Sequence, residues 1–234
     1  TLSRDTSLGL DFGAVTFYDG QGFLVASDSG FHHVQELRNA KVCVQGGTTT
    51  AYNIGAYSKR AGVGMQAVKF ASGDAAANAF VQGRCDTLTS DASGLAAVRT
   101  MLPNPASYRI LPERISKEPL APVARQGDNA WTDILRWTHF AMLTAEEKGI
   151  TAANVERMRQ SNQDPEVRLL LGTLGNFGPG LGLGNDWAYN IIKQVGNYAE
   201  VFERNVGMAT PLGMARDQNA LWQDGGLQFS PPIR

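Results

Sequence analysis

The segment Gln45-Gly46-Gly47-Thr48-Thr49-Thr50 has the composition of an anion-binding turn. It lies between a short apolar run, Lys41–Gln45, and a stretch patterned as a helix to about Arg60. The first N–H groups of a helix have no partner inside it, and the helix dipole favours negative charge there. Glycine lets a ligand approach the main chain and threonine hydroxyls add donors, a layout suited to a carboxylate. The lysine of a P-loop is missing, so a nucleotide phosphate fits less well. The alternative is an ordinary capped strand-to-helix turn. A second group, Thr89-Ser90-Asp91, closes another strand-like run, Asp86–Thr89. A carboxylate there can pair with an ammonium group, or Asp91 can simply cap a helix starting near Ser93. Both groups fall at carboxyl ends of strands, where ligands gather in open α/β sheets. Together they suit a zwitterion such as a free amino acid. At Thr1-Leu2-Ser3-Arg4 an arginine is available to grip a carboxylate with two parallel hydrogen bonds, or to sit solvated on the surface.

Signals for catalysis are thin. There is no G-x-S-x-G elbow, and Gly178-Pro179-Gly180-Leu181-Gly182 follows no strand and does not complete G-x-G-x-x-G. His32 and His33 read as part of a connection between lobes, and His139 lies inside an amphipathic helix, so surface and packing roles fit all three. Trp131, Trp137 and Trp187 read as core. Two cysteines, Cys43 and Cys85, cannot build a four-thiolate zinc site, and three histidines argue against a metal-centred mechanism. Neither a metal nor a cofactor is expected.

The elements that carry these residues alternate. Strands are expected at Lys41–Gln45, Met65–Phe70, Asp86–Thr89 and Arg109–Leu111, with helices to about Arg60, at Asp74–Gln82 and at Ser93–Met101, and a short helix at Val34–Asn39. That spacing implies βαβ units and a parallel, doubly wound sheet over residues 34–115. Before it, residues 14–26 read as two strand-like runs around Asp19-Gly20-Gln21-Gly22. After Glu118-Pro119-Leu120-Ala121-Pro122-Val123 the pattern turns helical: Asn129–Lys148, a helix from Asp164-Pro165 to Leu171, a glycine-rich loop at 175–184, one long helix over Asp186–Arg204 and a last one over Leu212–Gln223. The 234 residues are 43 % hydrophobic and 18 % charged, with 21 basic side chains against 22 acidic ones. A net charge of -1 argues against a nucleic-acid or anionic-membrane binder. No apolar run approaches the ~20 residues that span a bilayer, so the chain reads as soluble and globular.

The same residues carry a resemblance. TLSRDTSLGLDF, YDGQGF, VCVQGGTTT, GRCD with TSDASGL, ISKEPLAPVARQGD, NDWAYNIIKQVGNY and GGLQFSPPIR resemble the general L-amino-acid-binding proteins of bacterial ABC uptake systems. The likeness runs from residue 1 to 234. It implies a type II periplasmic-binding-protein fold, with two α/β lobes that close on a ligand in an interlobe cleft like a hinged trap. Residues 25–123 would form a complete lobe 2, residues 1–24 and 124–234 the remainder of an incomplete lobe 1, and the hinge would lie near 20–25 and 119–123. About 100 further residues would precede Thr1 in a full member, and a lobe without them would expose apolar surface that favours a homodimer.

The resemblance also implies roles. Thr1 and Arg4 would hold the ligand α-carboxylate, joined by Gly47, Thr48 and Thr49; Asp91 would receive the α-ammonium, and Ser90 would read the side chain. An oxidising periplasm implies a disulfide between Cys43 and Cys85, the alternative being two buried thiols. The expected partners are a polar L-amino acid and a membrane permease, with no catalysis. The rival readings are a truncated, ligand-incompetent lobe acting as an oligomeric interaction module, and a dehydratase-like enzyme on the same fold, which would need a general acid or base that the sequence does not nominate.

Overall fold

The computed structural model describes residues 7–233. Strands β3 (Gln21–Ala26), β4 (Lys41–Gln45), β5 (Gln66–Phe70), β6 (Thr87–Asp91) and β7 (Tyr108–Ile110) form one sheet in the order β5-β4-β6-β3-β7. Helices α1 (Thr49–Ala61), α2 (Gly73–Val81) and α3 (Ala92–Met101) link β4 to β5, β5 to β6 and, with a short 3-10 turn, β6 to β7. β4 pairs parallel with both β5 and β6, as strands joined by helical crossovers do. The sheet is mixed rather than wholly parallel: β3 runs antiparallel to both β6 and β7. No crossover helix precedes β3, so nothing constrains it to the direction of the others.

Strand alternation sorts the core into two faces. Phe23, Val25, Val42 and Val44 pack with Ile54 of α1 on one face. Leu24, Cys43 and Leu88 pack with Ala76 and Phe80 of α2 and Leu95 of α3 on the other. The sheet is therefore covered on both sides, which explains why its central strands read as near-continuous apolar runs.

The chain divides into two units, one of residues up to Tyr18, Leu120–Thr210 and from Ala215 on, the other of Asp19–Pro119 with Pro211–Met214. It passes between them within β2 (Phe17–Asp19) and β8 (Glu118–Leu120), which pair with each other, and again at either end of Pro211–Met214. The second unit is the sheet just described. In the first, β1 (Leu10–Phe12) pairs antiparallel with β9 (Val123–Arg125), and the rest is helical: α4 (Asn129–Glu147), α5 (Val155–Ser161), α6 (Pro165–Leu170), α7 (Trp187–Val195) and α8 (Tyr198–Asn205). Ala141, Ala145, Ile150, Leu170, Leu171 and Ile192 form its fully buried centre.

Four further expectations are corrected here. The long helix over Asp186–Arg204 is two helices, because Gly196 adopts φ 88° and Asn197 begins a new N-terminus. Its Oδ1 accepts from the Glu200 N–H at 2.9 Å while Glu200 Oε2 accepts from the Asn197 N–H at 2.8 Å, a reciprocal cap. The terminal helix over Leu212–Gln223 is replaced by 3-10 turns at Asp217–Asn219 and Trp222–Asp224, since the chain there bends so that the Asn219 amide can bond the backbone of Tyr18. Trp131, read as core, is 51 % exposed on α4. His32 and His33 lie within the sheet unit, where His33 Nδ1 meets Glu113 at 2.6 Å, and His139 is buried against Gln228 at 2.9 Å.

Candidate functional site

β4 and β6 are neighbours, and the chain leaves their carboxyl ends into α1 and α3 respectively. Because β5 lies on the far side of β4 from β6, strand order reverses at this point, the place where α/β sheets open a crevice. The turn Gly46–Thr48 and the end of β6 therefore share one rim. A cavity of about 150 Å³ opens there toward α2 and α3, lined by Gln45, Thr48, Asp74, Leu88, Ser90 and Leu95 among others; Asp91 and Gln21 are not part of its lining.

At the turn, Gly47 holds φ 74°, a conformation that a side chain strains. Thr48 is the N-cap of α1: its Oγ1 accepts from the Ala51 N–H at 3.2 Å and donates to the Gln45 carbonyl at 2.8 Å. That hydroxyl is thus occupied by the fold rather than offered to a ligand. The donors left at the helix start are the Thr49 and Thr50 N–H groups, which a helix cannot pair internally, and Thr49 is exposed.

At the end of β6, Asp91 stands in the N-cap position of α3 but makes no side-chain cap. The cap comes from Asp19, whose Oδ2 accepts from both the backbone N–H of Ser93 at 3.2 Å and its hydroxyl. The other Asp19 oxygen accepts from the Gly20 N–H at 2.8 Å. With that duty taken by Asp19, the Asp91 carboxylate has no hydrogen bond among the described residues. It is half-buried, and its pKa is pushed up by that burial and then by the nearby charges of Asp19 and Glu118.

Ser90 and Asp91, adjacent in sequence, point to opposite faces of the strand. Asp91 sits directly across from Gln21 of β3, on the face covered by α1. Gln21 is 1 % exposed. Its Nε2 donates to the Thr50 carbonyl at 3.2 Å and to Thr89 Oγ1 at 3.0 Å, joining the first turn of α1 to the end of β6. Asp19 and Gln21 were not among the residues singled out in sequence. Their signal was present, two polar residues interleaved with glycines at the mouth of an apolar strand. Gly20 explains one of those glycines: a Cβ there would lie 2.5 Å from the Ser116 carbonyl.

Of the expected site residues, the structure brings Gly47, Thr48 and Thr49 to one end of α1 and Ser90 and Asp91 to the adjacent strand end. Thr1 and Arg4 lie outside the described residues. Cys43 and Cys85 are bonded to each other, joining the middle of β4 to the segment before β6.

No protein-family model matches the chain. It is 50 % identical to the glutamate/glutamine/aspartate/asparagine-binding protein BztA of Rhodobacter capsulatus, over all of this chain and 69 % of that protein. It is 49 % identical to the general L-amino acid-binding periplasmic protein AapJ of Rhizobium johnstonii, again over all of this chain and 69 % of the relative. Among solved structures it resembles an ABC transporter periplasmic binding protein from Brucella ovis with glutathione bound, at 49 % identity and a TM-score of 0.92. That likeness covers the whole of this chain and 74 % of the other.

Proposed function

Because the chain belongs to the family of amino-acid-binding proteins of ABC transporters, we propose that it captures a polar L-amino acid non-covalently and delivers it to a membrane permease. The single observation that carries the reading is the Asp91 carboxylate, without a hydrogen bond among the described residues, beside the open start of α1. The pair offers a negative group for an ammonium and free N–H groups for a carboxylate. In this reading Asp91 takes the α-ammonium, and Gly47, Thr48 and Thr49 present main-chain N–H groups to the α-carboxylate. Ser90, which lines the cavity, meets the side chain. Thr1 and Arg4 complete the grip on the carboxylate.

The names of the relatives support a polar amino acid: one binds glutamate, glutamine, aspartate and asparagine, another is general for L-amino acids. Glutathione, bound in the Brucella protein, carries the same free ammonium and carboxylate head on its γ-glutamyl residue. The relatives are binding proteins, which supports capture without turnover, and two are named as periplasmic, the compartment proposed here.

Isothermal titration with L-glutamate, L-glutamine, L-aspartate and L-asparagine tests the reading. Saturable binding of at least one is expected, weakened about thirtyfold or more by Asp91→Ala, the loss that follows removal of a buried charge partner. A chain that binds none of the four overturns it. The proposal extends to a homodimer, supported by exposed Trp131, Trp222 and Phe229 and by an apolar cavity of about 400 Å³ in the helical unit, lined by Phe17, Leu135, Met142, Val201 and Phe202 among others. Light scattering should give twice the chain mass; the mass of one chain removes the dimer from the reading.

A further inference from the structure

We infer that Gln21 contacts the ligand directly, its side-chain carbonyl Oε1 serving as a second acceptor for the ammonium group beside Asp91. The inference rests on the amino-acid-binding reading and adds to it a residue which that reading leaves unused.

Gln21 and Asp91 are opposite one another in the antiparallel β3–β6 pair. Residues so placed project from the same face of the sheet, with Cβ atoms about 4.5–5.5 Å apart. Both therefore project from the face of the sheet covered by α1.

The orientation of the Gln21 amide is fixed by its neighbours. The Thr50 carbonyl at 3.2 Å can only accept, so the amide nitrogen faces it. Thr89 Oγ1 spends its hydrogen on the Gly22 carbonyl at 2.6 Å, so it too accepts from Gln21. Turning the amide over would set carbonyl against carbonyl. Oε1 is consequently the free end, and it is buried with no hydrogen-bond partner among the described residues. A buried acceptor left in that state keeps the full cost of its desolvation, so the site calls for a donor.

An ammonium group has three N–H donors, more than one carboxylate oxygen pair can satisfy in a single direction. With Asp91 taking the charge, a remaining N–H is available to the carbonyl opposite. The two bonds from Nε2 hold that carbonyl rigidly against Thr50 and Thr89, so its contact with the ligand demands little ordering on binding.

The test uses wild-type chain carrying ¹³C and ¹⁵N at glutamine, titrated with each of the four amino acids and followed at the Gln21 side chain. Saturation should move the Gln21 carbonyl carbon downfield while leaving its amide nitrogen, whose partners do not change, nearly in place. In parallel, Gln21→Met should weaken binding about tenfold or more, as expected for a hydrogen bond to a charged group. An unmoved carbonyl carbon at saturation overturns the inference alone, whatever the variant does. So does a Gln21→Met chain that binds within twofold of wild type. A wild-type chain that binds none of the four overturns the binding reading itself and this assignment with it.

Discussion

Aspartate at a helix N-cap is so often a structural residue that Asp91 would be dismissed on position alone. The structure releases it by giving its work to Asp19, which takes the Ser93 N–H and hydroxyl. The release has a cost: burial and the charges of Asp19 and Glu118 hold the Asp91 pKa above the ordinary value near 3.8. A carboxyl whose folded pKa exceeds its unfolded one destabilises the fold whenever it is ionised. That cost is present at neutral pH and is relieved as pH falls through the raised pKa. Asp91→Asn should therefore raise the ligand-free melting temperature at pH 7 by about 1–2 °C, with the gain shrinking in acid as the wild-type carboxyl becomes protonated. Calorimetry at pH 7 and pH 4 checks this, and a variant that melts lower than wild type at pH 7 contradicts it. The same variant should bind amino acids poorly, a trade of stability against function.

At the scale of elements, what the sequence made legible was whatever a period could carry. β4 to β6 and α1 to α3 were readable because five-residue runs and nine- to thirteen-residue stripes have enough positions to show a pattern, and the three-residue β7 was readable from its place in the alternation. The three-residue strands β1, β8 and β9 have too few, and their pairing is set by partners more than 100 residues away. The division between α7 and α8 was missed for a different reason. Trp187, Ile191, Val195, Tyr198 and Phe202 keep helical spacing across the break, so periodicity ran through it, while the local signal, Gly196 followed by Asn197 and, three residues on, Glu200, marked a stop and a fresh capping box. The candidate site divides the same way. Gly47, Thr48, Thr49 and Asp91 stand at strand-to-helix junctions and could be nominated from sequence. Asp19 and Gln21 act through residues 68 to 74 positions distant, Thr89 and Ser93, and only the antiparallel return of β3 brings them there.

For the whole molecule, the bond between Cys43 and Cys85 ties the chain across 42 positions and encloses α1, β5 and α2, together with the turn at Gly47–Thr49. Closing a loop of that length removes unfolded-state entropy worth about 3–4 kcal/mol in the chain-entropy account. Both cysteines are buried in the sheet unit, against Leu24, Phe80, Leu88 and Leu95, so the stabilisation belongs to that unit. A Cys43→Ala, Cys85→Ala chain should lose that amount from the most protected amides of β4 and β6. Hydrogen exchange reads each element separately, and protection in α4 and α7 is expected to hold. The variant should also be indifferent to reductant, whereas wild type unfolded and refolded under reducing conditions should match the variant. Unchanged protection in β4 and β6 would show that packing of the two side chains, and not their covalent link, holds the rim on which Asp91 and the start of α1 meet.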